Sequence, residues 1–182
     1  MPLVLRESKE SEAGPGSGRG LKRGAAAIRL AENNPMPALI HRQATRADCA
    51  LLGALNHQLI QDEGHRNPMT VPELVKRMRT WVGRREYTAE LFEEGGEVVA
   101  YALYRELPDQ IYLRHLFVAR GRRRQGVGRQ AMQLLFSECW TPGKRLTVEV
   151  LCANTGGVAF WKAMGYREYS LCLEIMPQPQ QF

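Results

Sequence analysis

Two spacings of apolar residues alternate along the chain from residue 38 onward, and each change of spacing marks an element. Residues 38–42 alternate and predict a first strand. Arg46-Ala47-Asp48 opens a helix that carries Leu51, Leu52, Leu55 and Leu59 inward. A polar connector over residues 61–68 follows. Thr70-Val71-Pro72-Glu73 is then a capping box with proline in the first turn. Its helix continues with Leu74, Met78, Trp81 and Val82 on one face. Residues 87–92 and 97–106 read as two strands joined by the short turn Glu93-Glu94-Gly95-Gly96. An apolar run over residues 111–118 predicts a further strand, and Val127, Ala131, Leu134 and Leu135 predict a helix. A strand over 144–151, a helix from Val158 and a last strand over 169–175 complete the order β-α-α-β-β-β-α-β-α-β. That order implies an α/β (α+β) fold, a mixed sheet of six to seven strands flanked by helices and antiparallel in its first half.

The junction between the 111–118 strand and the next helix carries the chemistry. A short basic loop leads into Gly126-Val127-Gly128. A helix start presents unbonded N–H donors and the positive end of the helix dipole, and glycine lets an anion approach the backbone. Arg122, Arg123, Arg124 and Arg129 add positive charge there. The junction therefore suits a diphosphate. A P-loop needs Gly-Lys followed by Ser or Thr, and Gly143-Lys144 is followed by Arg145. Gly126-Val127-Gly128-Arg129-Gln130-Ala131 matches a dinucleotide-binding turn in letters. In that turn, however, the first glycine follows its strand almost at once, whereas here a run of arginines intervenes.

Val118 followed by Arg123-x-x-Gly126-x-Gly128 resembles the acyl-CoA motif of the GNAT N-acetyltransferase superfamily. Asn154 followed by Ala159-Phe160-Trp161-Lys162-Ala163-Met164-Gly165-Tyr166 is similar to that family's second signature. The resemblance spans roughly residues 38–176 and implies a GNAT fold. It further implies acetyl-CoA as cosubstrate and acetyl transfer to an amine by direct attack. The implied cofactor contacts are Phe117, Val118, Arg123, Arg124, Gln125, Gly126, Val127, Gly128, Arg129, Asn154, Phe160 and Trp161. Asn154 also fits the plain role of a helix N-cap. The family often has tyrosine, the acid that protonates the CoA thiolate, where this chain has Trp161. An indole cannot titrate near neutral pH. Tyr112, Tyr166 or water are the remaining proton sources, and Trp161 can equally be a packing aromatic beside Phe160.

An amine nucleophile must lose a proton, and a free alkylamine has a pKa of about 10.4. Candidate bases are Asp62, Glu63 and His65 in the connector, Tyr112 and Arg114 on the strand, and Glu149 on the next strand. Tyr112 and Arg114 are expected to share a face with Leu116 and Val118, with His115 opposite and structural. Asp62 and Glu63 would attract a cationic amine. A small primary amine is the first choice of acceptor, and a protein N-terminus or lysine the second. A non-catalytic acyl-CoA sensor is the alternative from another class.

Charge and composition narrow the classes further. The chain has 182 residues and a net charge of +6 from 25 basic and 19 acidic residues. Much of the excess lies in the arginine loop and residues 1–37, and no nucleic-acid-binding motif is present. A globular part of about 145 residues buries roughly two-thirds of its surface without disulfides. Cys49, Cys139, Cys152 and Cys172 show no metal-ligand spacing, so no metal is expected, and a reduced, cytoplasmic setting fits. No apolar run reaches the roughly 18 residues of a membrane span. Residues 1–37, rich in Gly, Ser and charges, are expected to be a disordered extension, with the acetyltransferase domain over 38–182. A homodimer is compatible with this reading.

Overall fold

The computed structural model describes residues 38–176. Residues 1–37, expected to be disordered, lie outside them. Strand β1 (Ile40–Gln43) is followed by a single 3-10 turn (Arg46–Asp48) and helix α1 (Cys49–Glu63). Thr45 and Asp48 close a capping box over that turn. The Arg42 guanidinium, the Thr45 groups and the capping geometry outweigh burial and hold the Asp48 carboxyl far below the usual carboxylate range. Helix α1 runs through Gln61, Asp62 and Glu63, which the polar pattern assigned to a connector. Gln61 and Glu63 are good helix formers despite their polarity, and no Gly or Pro breaks the helix between Gly53 and Gly64. Gly64 adopts φ 67° and ends it as a left-handed cap.

Helix α2 (Val71–Gly83) begins with the expected Thr70–Glu73 capping box. It crosses α1 at Gly53, where a β-carbon would come within 2.8 Å of the Val75 backbone nitrogen. Strands β2 (Thr88–Glu94), β3 (Glu97–Glu106) and β4 (Gln110–Val118) then form a meander through the turn at Gly95-Gly96. After a 3-10 turn (Arg120–Arg122), helix α3 (Val127–Leu134) continues as a π-helical turn (Leu135–Cys139). Strand β5 (Arg145–Val148) and helix α4 (Thr155–Ala163) follow. The sheet order is β1-β2-β3-β4-β5, antiparallel except for the parallel β4–β5 pair.

Each face of the sheet buries its own core. Leu52 and Leu59 of α1 and Met78 of α2 pack with Leu91, Tyr101, Leu103 and Phe117. Val127, Ala131 and Met132 of α3 and Trp161 of α4 pack with Phe92, Ala102, Ile111 and Leu113 on the other face. Strand β3 lies between both layers, so Val99 to Tyr104 are all buried.

One expected element is missing: residues 169–175 form no strand. Tyr169, Leu171, Leu173 and Ile175 are 71–97% exposed. Alternation decides which side chains share a face, but pairing needs an edge, and β5 offers only four residues. Among the described residues the sheet therefore has five strands where six to seven were expected. No described helix is long and apolar enough to cross a membrane.

Candidate active site

The parallel pair sets up the site. Strand β4 is paired with β5 only from Gln110 to Leu113, where β5 reaches Val148 and stops. Strand β4 runs on to Val118, so its backbone from Arg114 onward faces no described strand on that side. The sheet opens there at the carboxyl ends of two parallel strands, the position where open α/β sheets take ligands.

The basic loop and the start of α3 lie next to this opening. Arg124 and Gly126 adopt φ values of 63° and 83°, which turn the chain sharply into the helix. The Gln130 N–H bonds the Gly126 carbonyl, so the preceding N–H groups at the helix start point outward. A β-carbon on Gly128 would sit 3.3 Å from Phe160 and 3.6 Å from Val118, so this residue lets α3 pack closely on β4 and α4. Arg124 and Arg129 make no ion pair among the described residues. Helix-start donors, glycine and unpaired guanidinium groups together suit the diphosphate of a CoA thioester.

Arg123 is differently engaged. Its Nε donates to the Val118 carbonyl at 2.9 Å, its guanidinium lies over Phe117, and its Nη2 donates to Asp62. Arg120 reaches the same carboxylate at 2.6 Å. Asp62 is thus bound by two arginines, which outweigh burial and keep its carboxyl below the usual range. It ties the end of α1 to the arginine loop. Arg122 pairs with the buried Glu94 at 2.7 Å and fixes the loop's other side to the β2–β3 turn.

Glu63, the next residue, has a different environment. Burial pushes its carboxyl above the ordinary value against the effect of Asn154, and the Asp62 charge adds to the rise. The Asn154 amide donates to Glu63 at 3.5 Å, while its Oδ1 accepts the Gly157 N–H at 2.9 Å. Asn154 therefore caps α4 and joins Glu63 to that helix. Gln125 folds back on the Gly121 carbonyl, and Val127 is buried under the loop.

Strand β4 carries a bulge that alternation could not reveal. Leu103 pairs with His115 and Tyr104 with Leu113, which leaves Arg114 as the extra residue. The phase of β4 flips there. Tyr112 and Phe117 belong to the α1–α2 side, whereas Leu113, Leu116 and Val118 pack on the α3–α4 side. Arg114 lies over Trp81 at 5.0 Å, and the His115 ring is 6.4 Å from the same indole. The expected shared face of Tyr112 and Arg114 with Leu116 and Val118 is thus corrected, as is the opposition of His115 to Arg114. His115 is a buried group: desolvation, followed by Arg114, Arg77 and His65, lowers its pKa to about 3. It stays neutral and meets the Tyr101 hydroxyl at 3.2 Å.

The opening is flanked by Tyr112, whose hydroxyl donates to Glu149 at 3.0 Å. Burial, and then the Glu149 charge, raise the Tyr112 phenol. Trp161 is only 9% exposed and packs between Phe160 and Tyr166 at 4.9 and 5.2 Å. Its observed surroundings are those of a core aromatic. Burial raises the Tyr166 phenol to about 12, and its hydroxyl has no partner among the described residues.

Sequence reasoning missed Asn56, Arg77 and Arg120. Arg77 donates to Asn56 at 2.8 Å and lies over Trp81 at 4.7 Å. An asparagine on the buried face of a leucine-rich helix, one turn from a polar end, is the signal that could have pointed there. Only one set of described side chains could hold a metal ion: His41, Glu90 and Cys139 offer ligand atoms within 4.8 Å of one another. His41 bridges Glu90 and Glu138 at 3.3 Å each, and these carboxylates outweigh burial in raising its pKa. This set lies on β1, β2 and the end of the π-helical turn after α3, towards the sheet edge remote from the β4–β5 opening.

The model of the acetyltransferase (GNAT) family matches residues 56–166. No curated protein matches the chain. Solved structures share its fold. One is a predicted acetyltransferase from Clostridium acetobutylicum with acetyl-CoA, at 16% identity and a TM-score of 0.61, with 76% of this chain and 96% of that chain covered. An aminoglycoside N-acetyltransferase in complex with CoA gives 13% and 0.62, covering 79% and 97%. A ribosomal-protein-alanine N-acetyltransferase from Brucella melitensis biovar Abortus 2308 gives 12% and 0.58, covering 76% and 99%.

Proposed function

Because the chain belongs to the acetyltransferase (GNAT) family, we propose that it moves the acetyl group of acetyl-CoA to the primary amine of a small molecule. Both substrates are held together and the amine attacks directly. The observation that carries this reading is Glu63. It is the half-buried carboxylate with a raised pKa at the end of α1, joined to Asn154 at the start of α4 and next to the Asp62–Arg123 tie to the phosphate loop. A base with a pKa moved toward the working pH removes an ammonium proton more effectively.

In this mechanism the α3 start, Gly126, Arg124 and Arg129 hold the diphosphate. The β4 edge at Phe117-Val118, open on its β5 side with the Val118 carbonyl held by Arg123, aligns the pantetheine arm as an added strand. Glu63, directly or through water, takes the amine proton. The nitrogen lone pair then forms a bond to the thioester carbon, and a backbone N–H of the open strand stabilises the oxygen that becomes negative. The C–S bond breaks, the thiolate leaves with the electron pair, and the acylated nitrogen gives up its second proton to water. Water protonates that thiolate, since the Tyr112 phenol is already committed to Glu149 and the Tyr166 phenol is raised to about 12.

A free-thiol release assay with acetyl-CoA and a panel of polyamines, aminoglycosides, amino acids and peptides tests the reading. Turnover with a small amine is the expected result. Turnover confined to peptides would give a protein acetyltransferase instead. Acetyl-CoA binding without thiol release from any acceptor would leave a sensor.

A further inference from the structure

Trp81 carries two positive charges that form an ion pair with no described carboxylate. The Arg77 guanidinium lies 4.7 Å and the Arg114 guanidinium 5.0 Å from its ring centre. Stacking on an aromatic face stabilises one cation. Two on one ring also repel, and Arg77 is partly withdrawn from water. Burial, then the Arg114 charge, lower the Arg77 pKa. Among the described residues its Nη groups reach only the Asn56 amide oxygen and the Met69 sulfur, and its buried Nε has no partner there. Arg105 adds a third guanidinium over Tyr87 and Tyr112 at 5.5 and 5.6 Å. Among the described residues, none of the three arginines lies within ion-pair distance of an acid.

Their place in the fold links them to the reaction. Arg114 is the bulged residue, one beyond Leu113, the last β4 residue paired with β5. It is therefore the first residue of the open strand. Asp62 is taken by Arg120 and Arg123, and Glu149 accepts from the Tyr112 hydroxyl. That leaves Glu63 to meet an amine and the arginines to meet an anion.

We infer that Arg77 and Arg114, stacked on Trp81, form an anion subsite beside the open strand, and that the acceptor is a small amine which also carries a carboxylate. The inference rests on the acetyltransferase reading and specifies its substrate class. A planar carboxylate suits the forked donors of guanidinium groups. It also relieves the repulsion between the two cations. Polyamines and aminoglycosides, which carry only positive charge, are disfavoured there.

The test pairs α-, β- and γ-amino acids with their own amides and decarboxylated amines in the thiol-release assay. The free carboxylate should raise kcat/KM about ten- to hundredfold, as expected for hydrogen bonds to a charged group. Arg114→Gln and Arg77→Gln should each reduce that preference toward unity, and Arg114→Lys should retain part of it. Stabilisation by acetyl-CoA verifies that each variant is folded. Equal turnover of acids and amides, or an unchanged preference in both glutamine variants, overturns the subsite. If no amine releases thiol, small-amine transfer fails, and the subsite is decided by Trp81 fluorescence during titration with the same amino acids. A saturable change that is lost in Arg114→Gln and in Trp81→Phe supports the subsite. No saturable change overturns it.

Discussion

Glu63 and Asp62 are neighbours in sequence with opposite electrostatic situations. Two guanidinium groups hold Asp62 ionised, whereas burial holds the Glu63 carboxyl above its ordinary value. As the acting base, Glu63 must be ionised, so kcat/KM should rise with pH through this raised pKa. Glu63→Gln should remove that limb and lower kcat/KM roughly 10²–10⁴-fold. A raised carboxyl pKa in the folded state means the unfolded chain releases its proton first as pH rises. Stability from this group is complete below the unfolded-state pKa and falls as pH passes through the folded one. Glu63→Gln should therefore also raise Tm at neutral pH, which calorimetry would show. Loss of activity together with a gain in Tm distinguishes a functional carboxylate from a structural one. Trp161 is predicted to behave in the reverse way. Trp161→Phe should keep most of kcat, and Trp161→Ala should cost about 3–5 kcal/mol of stability, as for other large core aromatics. A rate gain within the ~10²–10⁴-fold range in Trp161→Tyr would instead show that the missing acid limits turnover.

In the proposed mechanism, the element that decides cofactor binding is the turn into α3. Gly126 sits at φ 83°, where an L residue is strained by roughly 1–2 kcal/mol. Gly126→Ala should lower Tm and weaken acetyl-CoA binding together, because the same backbone turn aims the helix-start N–H groups. Titration calorimetry would check the affinity. Arg124→Ala should weaken binding about tenfold or more, as a charged donor is lost while the turn remains. The loop is tied on two sides, by Asp62 to α1 and by Glu94 to the β2–β3 turn. Those ties make it a pre-ordered cradle, which lowers the entropy lost on binding.

At the scale of the molecule, two helix layers bury separate cores on one five-stranded sheet of described strands, and the proposed site lies where β4 outruns β5. Binding at that opening joins the sheet, α3 and α4, so acetyl-CoA should raise Tm for the whole domain. Saturation at 100 times Kd corresponds to about 2.7 kcal/mol. NAD and ATP should stabilise far less in the same thermal scan. Equal stabilisation by NAD would return the Gly126-to-Ala131 segment to the dinucleotide reading.

Much of this arrangement follows from the chain alone. The 3.6- and 2-residue periods located both helix pairs and β1 to β5 within a few residues. The Thr70–Glu73 box started α2 where the letters placed it, and the Arg123-to-Gly128 spacing marked the helix start. These features are local: a cap, a period or a glycine acts within one turn or one strand. What the chain alone could not decide depends on contacts between segments distant in sequence. The β4 bulge at Arg114 is a matter of register against β3, and it moved Tyr112 and Arg114 away from the face of Leu116 and Val118. Asp62 was legible as an acid near the site, but its capture by Arg120 and Arg123 required 58 and 61 residues of chain to fold back. The periodicity of residues 169–175 was legible too, yet a strand needs an edge to pair with. Local pattern determined which elements form. Tertiary pairing decided which charges remain free to act, because a charge is neutralised by whatever the fold brings within a few ångströms of it.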